Sequence, residues 1–95
     1  MSDLFKNIEA CTKKNWDTKT CNKIFLQTAI MAEFEAINLY QTIASKTYDE
    51  EIKKTMLDIA REEKTHIGEF QYLLKKIDKE FNDELVKGEE EVRGK

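Results

Sequence analysis

The run Ile59-Ala60-Arg61-Glu62-Glu63-Lys64-Thr65-His66-Ile67-Gly68-Glu69-Phe70 sets apolar residues at the three-and-four spacing of one helix face. The same stripe extends back through Ile52 and Met56 and forward through Leu73, Leu74 and Ile77, so a helix is predicted over about 50–79. Glu63 and His66 interrupt it at positions where Leu or Ile would be expected. An unpaired ionisable group on a buried stripe is costly, so these two side chains need a partner.

A second stripe precedes the first. Leu26, Ala29, Ile30, Ala36, Ile37, Tyr40, Ile43 and Ala44 predict a helix from about 19 to 46. Glu33 breaks this stripe, with Ala29 and Ile30 one turn before it and Ala36 and Ile37 one turn after. Between the helices lies the polar stretch 45–51, where Thr47 with Glu50 fits a capping box and Asp49 is an alternative cap. Ahead of the first long helix, Leu4, Phe5 and Ile8 suit two turns of helix, and Asp17 or Thr18 can cap the long helix itself. After the second long helix, a bend near Phe81-Asn82-Asp83 leads to a short helix with Leu85 and Val86, and a charged, frayed tail is expected from Gly88. The chain thus reads as one domain in four segments: 1–17, 18–47, 48–80 and 81–95. The class is all-α, an antiparallel two-helix hairpin with short terminal helices.

Tyr48 sits at the centre of the turn, fifteen positions from Glu33 and fifteen from Glu63. At about 1.5 Å per residue both glutamates lie roughly 22 Å from the turn, and so face each other at one level. His66 is one turn beyond Glu63 on the same face. Carboxylates with an imidazole suit iron or manganese, and zinc also accepts them. One Glu from one helix and Glu-x-x-His from another make half the donor set of ferritin-like dinuclear sites. A two-fold dimer would supply the other half and complete a four-helix bundle, and a two-helix layer this small needs such a partner for its core.

Composition narrows the alternatives. The chain has 95 residues, 37% charged and 40% hydrophobic, with no proline and three glycines, which suits long helices and argues against a sheet protein. Its formal net charge of −3 and lack of a basic stripe argue against nucleic acid. No apolar run reaches the roughly 18 residues of a membrane span, and the N-terminus lacks the pattern of a signal peptide, so a cytoplasmic location is expected. Cys11 and Cys21 lack metal-site or disulfide-framework spacing and read as two free thiols. Glu62, Glu69, Lys53, Lys54, Lys75, Lys76 and Lys79 read as solvated helix-surface charges, and Trp16 as a packing residue.

Residues 32–40 (Ala-Glu-Phe-Glu-Ala-Ile-Asn-Leu-Tyr), together with the run 59–70, resemble the encapsulated ferritin family of the ferritin-like and rubrerythrin-like group. The resemblance covers roughly 18–90. It implies a ferroxidase that oxidises ferrous iron at a di-iron centre between two chains, in dimers and ring-shaped decamers. It further implies work inside an encapsulin nanocompartment whose shell stores the mineral, and some members are joined directly to the shell protein. Carried over by position, Glu33, Glu63 and His66 match the metal ligands, with Glu63 bridging. Tyr40 matches a tyrosine near the centre, and Glu35 an acid on an iron approach route. Ala32 stands where some members have an acid, and Leu39 where some have tryptophan. The tail from Gly88 onward contains no recognisable shell-targeting peptide. Taken alone, the residues also admit a rubrerythrin-like peroxide reductase, a metal carrier or sensor, or a helical interaction module stapled by metal. They favour core packing for Tyr40 and a surface position for Glu35.

Overall fold

The computed structural model describes the backbone of residues 2–94 and the side chains of residues 4–94. Met1 and Lys95, the two ends of the expected terminal segments, lie outside the described residues. Among the described residues four helices run in order: α1 (Ser2–Lys13), α2 (Thr18–Lys46), α3 (Glu50–Ile77) and α4 (Lys79–Arg93). The described residues contain no strand. None of the helices is long and apolar enough to cross a membrane.

The helices from α2 onward each begin where a side chain can satisfy free amides. Asp17 caps α2 by accepting from the Thr20 N–H at 2.8 Å. Of the two caps open to α3 the structure uses Asp49, whose Oδ1 accepts from the N–H groups of Glu51 and Ile52. Thr47 instead turns the chain just before it, its Oγ1 accepting from the Asp49 N–H. Glu50 and Glu51 then occupy the first turn, where negative charge opposes the helix dipole. The reversal between α1 and α2 uses Asn15 at φ 55, a left-handed conformation that asparagine tolerates.

The C-terminal third differs from the sequence expectation. The break falls at Asp78, not near 81–83, because the Asp78 carboxylate caps α4 through the Phe81 N–H at 3.0 Å. The same carboxylate lies 3.8 Å from the Lys23 ammonium and so ties this joint to α2. Beyond it the frayed tail is replaced by helix through Gly88 to Arg93. Gly88 costs a helix roughly 1 kcal/mol, while the good helix formers around it and the Lys79–Asp83 and Arg93–Glu89 pairs one turn apart favour continuation.

Helices α2 and α3 lie side by side and run in opposite directions, as the three-residue link and the Glu33–His66 and Lys23–Asp78 contacts require. Their shared core is Ile37, Ala44, Ala60, Ile67 and Leu74, all buried, with Leu74 the largest at 1% exposure. Cys21 and Thr28, also buried, fall about 160–180° round α2 from Ile37, which is the side left for α1 and its buried Cys11. The resulting body is a thin layer, 48 × 42 × 18 Å, with a radius of gyration of 16.6 Å. A compact chain of this length would measure about 12 Å. Its exposed surface is 7325 Å² for 11.2 kDa, against about 5,700 Å² for a compact monomer. The excess, about 1,600 Å², exceeds the roughly 800 Å² that each partner buries in a stable interface.

Candidate metal centre

Glu33 on α2 and Glu63 and His66 on α3 meet at mid-length of the helix pair. Nδ1 of His66 lies 3.1 Å from Oε2 of Glu33 and 3.8 Å from Oε1 of Glu63. One donor atom from each of the three falls within 4.8 Å of the others. Bonds of about 2.0–2.2 Å put donors up to roughly 4.4 Å apart across a small divalent ion, so only a slight contraction is needed. The arrangement follows from helix geometry once α2 and α3 pack side by side. Residues 33 and 63 are equidistant from the α2–α3 link, and residues 63 and 66 are one turn apart.

The electrostatics describe a site short of positive charge. The Glu63 carboxyl is raised above its ordinary value, first by its hydrogen bond with Glu33, then by burial and by the Glu33 charge. The His66 imidazole is raised above its ordinary value too, first by its hydrogen bond with Glu33, with burial opposing and the charges of Glu33, Glu63 and Glu69 assisting. Two carboxyls thus crowd one another, and protons on Glu63 and His66 relieve the repulsion. Among the described residues, the ion pairs of Glu33 and Glu63 go to His66 and to no lysine or arginine. A divalent cation would satisfy the same three groups at once, so the donor set fits a metal ion of the iron, manganese or zinc class.

The site is also open on one side. The side chains of Glu33 and Glu63 are 18% exposed and that of His66 is 45% exposed. Around them run half-buried or exposed apolar residues: Ala29, Ala36, Met56, Ile59, Phe70 and Leu73. Toward the far end of the helix pair an apolar groove opens between Phe25 and Leu26 on α2 and Leu73 and Ile77 on α3. Among the described residues, none of α1 or α4 lines this groove.

Glu35 and Tyr40 lie on α2 as well. Together with Ala32, Ala36 and Leu39 they line a separate groove along α2 that none of the three donors lines. Glu35 is exposed and Tyr40 half-buried, and Glu62 and Glu69 are exposed. The three side chains that meet are the three that spacing singles out. What spacing could not supply was the hydrogen bond between His66 and Glu33 across 33 positions of chain, and the role of Asp78 in locking the far end.

Comparison with known proteins agrees with this fold. The sequence model of the Rubrerythrin family matches residues 25–95. The ferritin-like–encapsulin shell fusion protein of Pyrococcus furiosus is 52% identical over 68 residues, which cover 72% of this chain and 20% of that protein. The chain therefore spans about a fifth of the length of that curated relative. The crystal structure of the encapsulated ferritin domain from Pyrococcus furiosus superposes with a TM-score of 0.80 at 47% identity, covering 83% of this chain and 81% of that one. On fold and sequence together, the chain belongs to the rubrerythrin family of ferritin-like domains, and within it to the encapsulated ferritins.

Proposed function

We propose that this chain is a ferroxidase whose working site forms between two copies, each contributing Glu33, Glu63 and His66. The α2–α3 pair is then half of a four-helix bundle, and the two-fold partner supplies the other half. The observation that carries this reading is the set of three converging donors, of which His66 remains 45% exposed. Three donors from one chain leave a metal ion under-coordinated, and ferritin-like dinuclear centres use four carboxylates and two histidines. Doubling this chain's set by a two-fold axis gives that number.

Ferrous iron is the substrate. In the reaction each of two ferrous ions gives up one electron, and dioxygen takes two electrons and two protons to become hydrogen peroxide. The protein's part is to gather and orient. Glu33 and Glu63 would hold the ions through their carboxylates, and His66, as the neutral imidazole, through Nδ1, the atom that faces both glutamates. Glu63 and His66 must lose the protons that their mutual crowding favours, so iron uptake releases protons.

The product would pass to a mineral store. The curated relative is joined to an encapsulin shell, and association of this chain with such a shell, inside a nanocompartment, belongs to the same proposal. Assembly beyond the dimer, such as a ring-shaped decamer, does too.

Anaerobic loading with ferrous iron and then exposure to air tests the activity. Ferric absorbance is expected to saturate at two irons per pair of chains and to vanish in Glu33→Ala. Equal oxidation rates with and without the protein would overturn the reading. Replacing air by peroxide separates a peroxide reductase from a dioxygen-consuming ferroxidase.

A further inference from the structure

The α1–α2 junction holds a second chemically distinctive pair. Cys11 lies two residues before the end of α1, and Cys21 three residues after the start of α2. The four-residue reversal between the helices, with Asn15 left-handed within it, brings both to nearly one level. Both are free thiols, and they are buried at 7% and 8% exposure. Cys21 lies on the side of α2 that α1 covers, the side on which Cys11 is buried. The Cys21 thiol donates weakly to the Trp16 carbonyl at 3.8 Å. Cys11 is the buried hydrophobic residue of α1 among those described, and α1 packs on α2.

Two thiols packed as core residues would need only to be small and apolar, and alanine or valine would serve equally. A facing pair on two elements joined by a short reversal has a further property, because oxidation can join them without bringing distant parts of the chain together. We propose that Cys11 and Cys21 are a peroxide-sensitive modification site that closes into an intrachain disulfide clasping α1 to α2.

The step balances with hydrogen peroxide as the oxidant. The thiolate of either cysteine attacks one peroxide oxygen, the O–O bond breaks, and hydroxide leaves as that cysteine becomes a sulfenic acid. The other sulfur then attacks the sulfenic sulfur, the S–O bond breaks, and water leaves with the second thiol's proton. In total two thiols give up two electrons and peroxide becomes two waters. Burial, and then the neighbouring Cys11 thiol, push the Cys21 thiol up to about 11 in the packed state, so reaction waits on exposure. Access is gained when α1, whose Phe5 and Ile8 remain exposed, lifts from α2. Peroxide is the product assigned to the iron site above, but the disulfide does not require that assignment, since added peroxide tests it directly.

The test treats the full-length, metal-free chain with hydrogen peroxide and measures intact mass, thiol alkylation and peptide linkage. A loss of about 2 Da, at least about a tenfold drop in alkylation, and a Cys11–Cys21 cross-linked peptide within one chain are expected. A sulfenic-acid probe is expected to label the remaining cysteine in Cys21→Ser and in Cys11→Ser. Thiols that stay fully alkylatable, that go on to sulfinic acid, or that link separate chains would overturn the proposal. Because the wild-type chain alone gives the decisive readout, poor folding of either variant cannot mask the answer.

Discussion

Nδ1 of His66 and Oε2 of Glu33 lie 3.1 Å apart, although 33 residues separate them in the chain. This contact crosses the α2–α3 seam and is the largest cause of the raised His66 imidazole. Removing it has two separable consequences. Glu33→Ala is expected to lower the His66 titration midpoint, read by NMR in the metal-free protein. It is also expected to weaken ferrous binding by at least about a hundredfold, since a lost ligand should cost no less than the 10–100-fold typical of a lost outer-shell partner. A variant with unchanged iron affinity would remove Glu33 from the site.

The pH dependence of the metal-free protein has a definite sign. His66 and Glu63 are both raised from ordinary values of 6.5 and 4.5. Each therefore contributes stability that is fully present below its ordinary value and is lost as pH rises through its raised value. Metal binding runs the opposite way, because it needs both groups deprotonated. Between about pH 6 and 8 the melting temperature of the metal-free chain, relative to His66→Gln, is expected to fall. The increment added by a divalent ion is expected to grow over the same interval. Solvent exposure of His66 keeps the first effect modest. Thermal melts of both proteins, with and without manganese, check the two slopes.

Much of this site was legible in the amino-acid sequence. The equal distances of Glu33 and Glu63 from Tyr48 are a matter of counting, and the rise of a helix turns the count into a height. The two stripes likewise marked α2 and α3 through their periodicity. The C-terminal part was harder. Gly88 reads as a helix breaker and Phe81-Asn82-Asp83 as a bend, whereas the decision is made by Asp78, which caps α4 and reaches Lys23 across the fold. Local signals there were nearly balanced, and a contact to a distant residue is not visible in a local pattern. The meeting of Cys11 and Cys21 was hidden for the same reason, since it depends on which face of α2 receives α1.

Gly88 offers a direct test of that correction. A Cβ built at this position meets nothing within 4 Å, and its φ is not positive. Gly88→Ala is therefore expected to stabilise α4 by roughly 0.5–1 kcal/mol, measured as slower amide exchange over 84–92. Faster exchange there would mean that this stretch is not helical.

The core between α2 and α3 should be sensitive at one residue above the others. Leu74 is the most buried large side chain, at 1% exposure, while Leu85 on α4 is 38% exposed. Leu74→Ala is expected to cost about 2–5 kcal/mol in urea denaturation. Leu85→Ala is expected to cost less than about 1 kcal/mol if α4 faces solvent. Similar losses for both would indicate that α4 is covered in the assembled protein.

The central claim is that each chain holds half of one dinuclear site. Native mass measurement of the anaerobic, ferrous-loaded protein tests it most directly, because it counts chains and irons in the same particle. The expected species contain even numbers of chains with two irons for every two chains, and iron-free single chains beside them. A single chain that holds iron at full occupancy, or paired chains that bind none, would contradict it.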